Sequence, residues 1–381
     1  MHIAIVSDTV YDYISGAANV SLRLIDGLSK KHKVTVITSS TGKYEEYIID
    51  IPHGIKVCRF PGFRIPVTKG AYFGFPSKKK IRKIIKDVDV VQTFIPTYLT
   101  YRVIKEAKKL NIPIVSGYHT QPENVLGNIG LNLRWLNYIF MKYVIWFHNN
   151  SNINIAPSTF AYNYLVRYGC KKPIKIISNG VPTDIFKPIN AQRIIKRHNL
   201  KGYKIILFVG RLMKEKDLMT LCSAFLNVNE DMPNTKLIIV GTGYMKEKIE
   251  EYARFGDIKD IIITGKVSFE ELPLYYNACD VFVLPSLIEL QGMVVLEAMA
   301  CKKAVIVSDS HLSASKDIVD TDMLFNAKDN KSLANKIAYV LKNDKFRKKH
   351  AIRNYNFVRN KHSMKKVMDK YEETYKSLYN K

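Results

Sequence analysis

The chain has 381 residues, 47% hydrophobic and 24% charged, which is enough for two domains, each with its own core. Its 59 Lys and Arg against 34 Asp and Glu leave a net charge of +25, which favours anionic partners or reflects only a lysine-rich composition. Cys58, Cys170, Cys222, Cys279 and Cys301 are dispersed and form no CxxC pair, which argues against a zinc site or disulfide framework and for a reducing compartment.

"HIAIVS" (2–7) reads as the first strand, with no basic region before it of the kind a signal peptide carries. A helical crossover from Ala18 to Lys30 leads to a second strand, "KVTVITS" (33–39). Residues 56–109 then hold fourteen Lys or Arg against Asp87, Asp89 and Glu106. In the densest part, "SKKKIRKIIKD" (77–87), Ile81, Ile84 and Ile85 share one helical face, and Lys78, Lys79, Lys80, Arg82, Lys83 and Lys86 crowd the rest. Following the aromatics of "AYFGFP" (71–76), such a helix suits an anionic membrane surface, at roughly 1 kcal/mol per cation. It also suits an ordinary docked helix with a solvated back, and both hold if the isoleucines pack inward while the lysines face lipid.

"DVVQTF" (89–94) and "PIVSGYH" (113–119) continue the strands, and His119 at the second exit either caps the strand end or serves a site. "LNLRWLNYIFMKYVIWFH" (131–148) is an oily helix containing Trp135 and Trp146, with Arg134 and Lys142 as its charges; it is either core or the lining of an entry path for an apolar ligand. No run of eighteen apolar residues occurs, so no helix is expected to span a bilayer. "KKPIKIISNGVPTDIFKP" (171–188), punctuated by Pro and Asn-Gly, reads as a last strand and a linker.

From Lys204 the pattern restarts with "KIILFVG", "KLIIVGTG", "DIIITG", "DVFVLPS" and "AVIVSDS", separated by helices. The expectation is two doubly wound, Rossmann-like α/β domains, 1–178 and 179–360, with a C-terminal helix in 361–381, and ligands in a cleft beyond the carboxyl ends of the strands. "FVGRLMKEKDL" (208–218) turns at Gly210 and sets Arg211 and Lys216 at a strand exit, where they either grip a diphosphate or are two surface cations. "VGTGY" (240–244), with Gly241, is a weak signal that tight turning explains equally well. In "SLIELQGMVVLEAMA" (286–300), Gly292 lets backbone approach a ligand, and the helix that follows presents N–H groups suited to phosphate. Glu289 on the loop could accept from sugar hydroxyls. Glu297, one turn into the helix, is either buried and satisfied by paired ribose hydroxyls or faces solvent near a helix start.

Taken jointly, "GRLMKEK", "VGTG", "ITGKVSFEELPLYYNACDVFVLPS" and the Glu289-x7-Glu297 spacing resemble the carboxyl-terminal domain of retaining GT-B glycosyltransferases of family 4. The amino half is similar more loosely, through "VSDTVYDYISGAANVSLRLIDGLSKKHKVTVIT", "SGYHTQPENV", "APSTFAYNYL" and "ISNGVPTDIFKP". The resemblance implies a GT-B fold with an amino-terminal acceptor domain and a carboxyl-terminal nucleotide-sugar domain, and a C-terminal helix crossing back onto the first. It assigns Arg211 and Lys216 to the donor diphosphate, Glu297 to the ribose and Glu289 to the transferred sugar. Gln291, Gly292 and Met293 approach sugar and phosphate through backbone, with Gly210 and Gly241 at the neighbouring strand exits. Gly16 lies near the phosphates or acceptor, and His119 beside the donor sugar. The chain departs from the family at Lys302 and Ala304, where a Gly and a Pro are usual, and at Ala17, where a second Gly is common. Asp87-x-Asp89 is the kind of pair that holds a cation in metal-dependent glycosyltransferases, but it sits at a helix-to-strand junction in a different pattern, and no essential metal is expected.

Neither a base for inversion nor a carboxylate nucleophile for two-step retention stands out. The resemblance implies retention by same-face attack, with the departing phosphate helping to take the acceptor's proton. The whole chain is similar to the membrane-surface enzymes that glucosylate diacylglycerol. That implies glucose transfer from UDP-glucose to a lipid such as diacylglycerol by a peripheral protein on the cytoplasmic membrane face, with no nucleic-acid partner. The alternatives are the same chemistry on a soluble or polyprenyl-linked glycan, and a non-catalytic basic binding protein, against which the joint presence of Glu289, Glu297, Arg211 and Lys216 stands.

Overall fold

The computed structural model describes residues 1–8, 16–49, 54–64, 72–127, 131, 133–256 and 258–379. The chain divides into two compact units, Met1–Gly180 with Met364–Lys381, and Val181–Ser363.

In the first unit the strands are β1 (His2–Val6), β2 (Lys33–Thr41), β3 (Glu45–Ile49), β4 (Ile55–Arg64), β5 (Tyr72–Gly74), β6 (Val90–Thr93), β7 (Ile114–Gly117), β8 (Ile153–Ala156) and β9 (Ile174–Ile176). Among the described residues they form one sheet in the order β3-β4-β2-β1-β6-β7-β8-β9, with β5 paired to β4. All pairings are parallel except β3–β4 and β4–β5. Ile3, Ala4, Ile5 and Val6 are all completely buried, as expected of a central parallel strand covered on both faces. The antiparallel edge β3–β5 was not foreseen. Its long member, "IKVCRFPGFR", carries Pro61 and Gly62, which demote a segment as a strand, and here Pro61 accepts a bond from the Phe75 N–H across the ladder.

The helix Lys78–Ile85 docks through Ile81 and Ile85, both fully buried, onto the cluster that includes Val91, Leu99 and Val103. The C-terminal helix Met364–Tyr379 packs within this unit on the helix Gly16–Ser29, where a Cβ at Gly27 would collide with the Met368 side chain. Its Tyr375 hydroxyl donates to Gln92 of β6 at 3.0 Å.

The second unit holds β10 (Lys204–Val209), β11 (Thr235–Val240), β12 (Ile261–Gly265), β13 (Val281–Leu284), β14 (Ile288–Glu289), β15 (Ala304–Ser308), β16 (Leu312–Ser313) and β17 (Leu324–Phe325). Six of them make a parallel sheet, β12-β11-β10-β13-β15-β17, and β14 pairs with β16. The order turns around between β10 and β13, which makes the crevice at their carboxyl ends the natural ligand position of this unit.

Candidate functional site

The crevice is built from two loops. After β10 the backbone is laced to the exit of β11: Gly210 donates to Val240 (3.0 Å), Leu212 to Thr242 (2.9 Å) and Met245 back to Leu212 (3.0 Å). A Cβ at Gly241 would strike the Gly210 carbonyl, and one at Gly243 the Leu212 carbonyl. The "VGTG" glycines are thus required by close backbone approach, which holds the Arg211 turn in place.

That turn meets the loop after β13. Lys214–Lys216 form a short 3-10 turn, and Leu287 donates to the Glu215 carbonyl at 2.8 Å. Lys216 pairs with Glu289 and reaches the Ser286 hydroxyl at 3.3 Å, with both ionic side chains mostly buried. Arg211 lies 3.4 Å from the buried Glu215 carboxylate. Two cations and two carboxylates therefore hold one another at the carboxyl ends of β10 and β13. Glu289 is in the short strand β14, rather than on an irregular loop.

Gly292 caps the helix Met293–Ala300 with φ +79°, a left-handed conformation, and a Cβ there would come within 3.1 Å of Ser315. Gln291 is buried just before it, Met293 is half-buried, and Val295 to Ala300 are buried without a break. Glu297 is only 4% exposed, which excludes its solvent-facing alternative. The Tyr276 hydroxyl donates to Glu297 Oε2 at 2.9 Å. The expectation that a ribose supplies its partners is therefore incomplete, since a tyrosine from the Leu272–Ala278 helix already supplies one. Tyr276 was legible only as part of the resembling stretch and carried no signal of its own.

In the first unit His119 follows β7, its ring stacked on Phe94 (5.3 Å between centroids) and its Nε2 buried. Burial, with His148 nearby, lowers its pKa to about 3, so it is neutral at physiological pH. Asp8, at the exit of β1, went unremarked in the sequence. It is buried, accepts from the Ser39 hydroxyl at 2.6 Å, and burial raises its pKa to about 6. Gly16 begins its helix, and residues 9–15 lie outside the described residues.

The six cations Lys78, Lys79, Lys80, Arg82, Lys83 and Lys86 are all exposed. They are not equivalent, because Arg82 bonds the buried Glu106 carboxylate at 2.7 Å and Lys80 lies 3.8 Å over the Tyr44 ring. The Asp89 carboxylate accepts from the His2 backbone N–H (2.7 Å), and the Asp87 backbone carbonyl meets the His2 ring at 2.9 Å. Elsewhere Asp320, Asp322 and His350 gather closely enough to surround a cation. Asp320 is already paired with Arg353 at 2.6 Å, and the two His350 ring nitrogens face different carboxylates, Asp320 at 3.0 Å and Asp322 at 3.3 Å. No described helix is long and apolar enough to cross a membrane.

Two Rossmann-like units, with Arg211 and Lys216 at the strand ends of the second, are the frame of a transferase that uses a nucleotide sugar, the class to which the comparisons assign the chain. The Glycosyltransferase Family 4 model matches residues 14–185 and the Glycosyl transferases group 1 model residues 190–357. The chain belongs to the family 4 glycosyltransferases, with the GT-B fold. It is 28% identical over 344 residues to Alpha-monoglucosyldiacylglycerol synthase of Streptococcus pneumoniae, covering 86% of this chain and 75% of that protein. It is 28% identical over 319 residues to GDP-mannose-dependent alpha-mannosyltransferase of Mycolicibacterium smegmatis, covering 81% and 80%. Sucrose-phosphate synthase from Thermosynechococcus elongatus superposes with a TM-score of 0.81 at 19% identity, over 100% of this chain and 99% of that one.

Proposed function

We propose that the protein is a retaining hexosyltransferase that moves glucose from UDP-glucose onto a membrane lipid, diacylglycerol in particular, at the cytoplasmic face of the cell membrane. The observation that carries the reading is the set Arg211, Lys216, Glu289 and the Gly292 helix start, gathered at the β10/β13 switch point. The lipid acceptor draws support from the name of the pneumococcal relative and from the exposed cations between Lys78 and Lys86.

In this scheme Arg211 and Lys216 hold the diphosphate, Glu297 holds the ribose together with Tyr276, and Glu289 the transferred sugar. Gly210, Gly241, Gln291, Gly292 and Met293 shape the backbone around them. Lys216 exchanges its contact with Glu289 for one with phosphate, which frees Glu289 for sugar hydroxyls. The bond from the anomeric carbon to the β-phosphate oxygen breaks, and a bond to the acceptor hydroxyl forms on the same face. The hydroxyl proton passes to the departing phosphate, giving glycolipid and UDP. Positive charge set in advance stabilises the leaving diphosphate, and no essential metal is assigned. His119, neutral, contributes a hydrogen bond rather than charge, and Gly16 admits close backbone approach.

The test is transfer of labelled glucose from UDP-glucose to diacylglycerol in anionic micelles, run beside Lys216→Gln and Glu297→Gln. Labelled glycolipid that falls in both variants supports the reading. Product from GDP-mannose but none from UDP-glucose overturns the donor, and sugar release without glycolipid overturns the acceptor.

A further inference from the structure

The Arg134–Asn149 helix buries one face and leaves the other bare. Asn137, Met141, Val144, Ile145, Phe147 and His148 point inward. Trp135, Tyr138, Ile139, Tyr143 and Trp146 repeat at helical spacing on the other side and are 60%, 52%, 56%, 45% and 39% exposed. Single exposed apolar residues are ordinary, but a contiguous row of five large ones on one helix marks a contact surface.

The row continues onto neighbouring elements. Trp146 meets Tyr101 (5.3 Å between centroids), Tyr101 meets Tyr98 (6.0 Å), Tyr98 stacks on Phe73 (5.4 Å), and Phe73 meets the exposed Phe63 and Phe75. Cations sit over these rings: Lys142 over Tyr138, Lys105 over Tyr101 and Arg102 over Tyr98. From Glu123 to Asp184 the chain has no acidic residue between. Tyr and Trp, apolar in body and polar at the tip, combined with cations and no acids, match the boundary between anionic headgroups and acyl chains. A two-fold copy of the chain matches less well, because an isologous contact would press two copies of this cationic face together, with no acidic residue between Glu123 and Asp184 to offset Arg134 and Lys142.

We infer that the amino-terminal unit inserts the Trp135–Trp146 face into an anionic bilayer at headgroup depth, with the Lys78–Lys86 cations adding attraction at longer range. The inference deepens the membrane part of the proposed function and rests on it, whereas its test needs no sugar nucleotide. The helix lies in the interface plane, because sixteen residues with a half-buried circumference cannot span a bilayer.

Both tryptophans of the chain stand on this face, so the emission of the intact protein reports it directly. On vesicles of phosphatidylglycerol and phosphatidylcholine, the emission is expected to shift to the blue and to be quenched by acyl chains brominated near the headgroup. Ile139→Ser with Tyr143→Ser, which leaves both tryptophans, is expected to weaken vesicle binding by roughly tenfold for each residue. Unchanged emission from protein that nevertheless co-sediments with vesicles overturns the inference and leaves attachment to the basic helix. Blue, lipid-insensitive emission from a species that sediments as a dimer also overturns it, in favour of a second copy. A lipid-dependent shift supports it even where UDP-glucose is not turned over, so failure of the donor reading is separately visible.

Discussion

Two oily helices of this protein end in opposite situations. Met293–Ala300 is buried from Val295 onward and encloses a carboxylate, Glu297, whereas Arg134–Asn149 carries two tryptophans and leaves them in the open. Both have high apolar content and few charges. The first lies against β13, β15 and the Asp344–Lys361 helix, and every residue from Val295 to Ala300 is buried. The second has a covered face and an uncovered one. Hydrophobicity therefore measures what a helix can bury; the elements stacked around it decide what it does bury. A carboxylate is tolerated in the first because Tyr276 reaches it, and exposed indoles are tolerated in the second because amphipathic rings lose less in water than aliphatic side chains.

The contrast can be broken most forcefully by truncation. Leu296→Ala is expected to cost about 2–5 kcal/mol of stability, and Ile139→Ser without lipid less than about 0.5 kcal/mol, read from urea midpoints. Equal losses would place both helices in the core. For catalysis, Lys216→Gln is expected to lower kcat about 100–1000-fold, the effect of removing one preorganised charge from a leaving group, without moving the urea midpoint comparably. Tyr276→Phe leaves Glu297 one donor short and is expected to cost about 1–3 kcal/mol, recovered in part when a nucleotide is bound.

The buried histidines sharpen the comparison from the other unit. His119 and His148 have pKa values lowered to about 3 and about 4, so the folded state binds fewer protons than the unfolded one below pH 6.5. Stability is complete above that pH and is lost as pH falls toward the folded values, at about 1.4 kcal/mol per pH unit for each proton. Asp8 opposes this, because its pKa is raised to about 6; the folded state holds its proton longer, and stability is lost as pH rises from 3.8 to 6. With two groups against one, the urea midpoint is expected to drop between pH 6.5 and 4.5, and His148→Gln to flatten that drop. A smaller effect, and a gain, is expected at Lys302, which sits at φ +58° just past the Met293–Ala300 helix. Lys302→Gly should stabilise by roughly 0.5–1 kcal/mol, since glycine pays no Cβ penalty there.

The alternation of Ile- and Val-rich runs with amphipathic segments was enough to read both sheets, because parallel strands covered on two faces must be continuously apolar. The strands from "HIAIVS" to "AVIVSDS" all form close to their expected positions. The order of Arg211, Lys216, Glu289 and Glu297 along the chain was likewise legible, since each follows a strand exit. What escaped was set by partners distant in sequence. The β3–β5 edge depends on pairing that tolerates Pro61 at a sheet margin, and Glu297 on a tyrosine 21 positions away. Arg82 is committed to Glu106 rather than to the basic surface alone, and Asp8 is drawn toward neutral pH by burial that no neighbour in sequence announces. Sequence determined the elements, their order and the charges available, because those follow from local periodicity. Tertiary structure alone decided which apolar faces stay uncovered and which charges are already partnered, because burial and pairing are properties of neighbours in space.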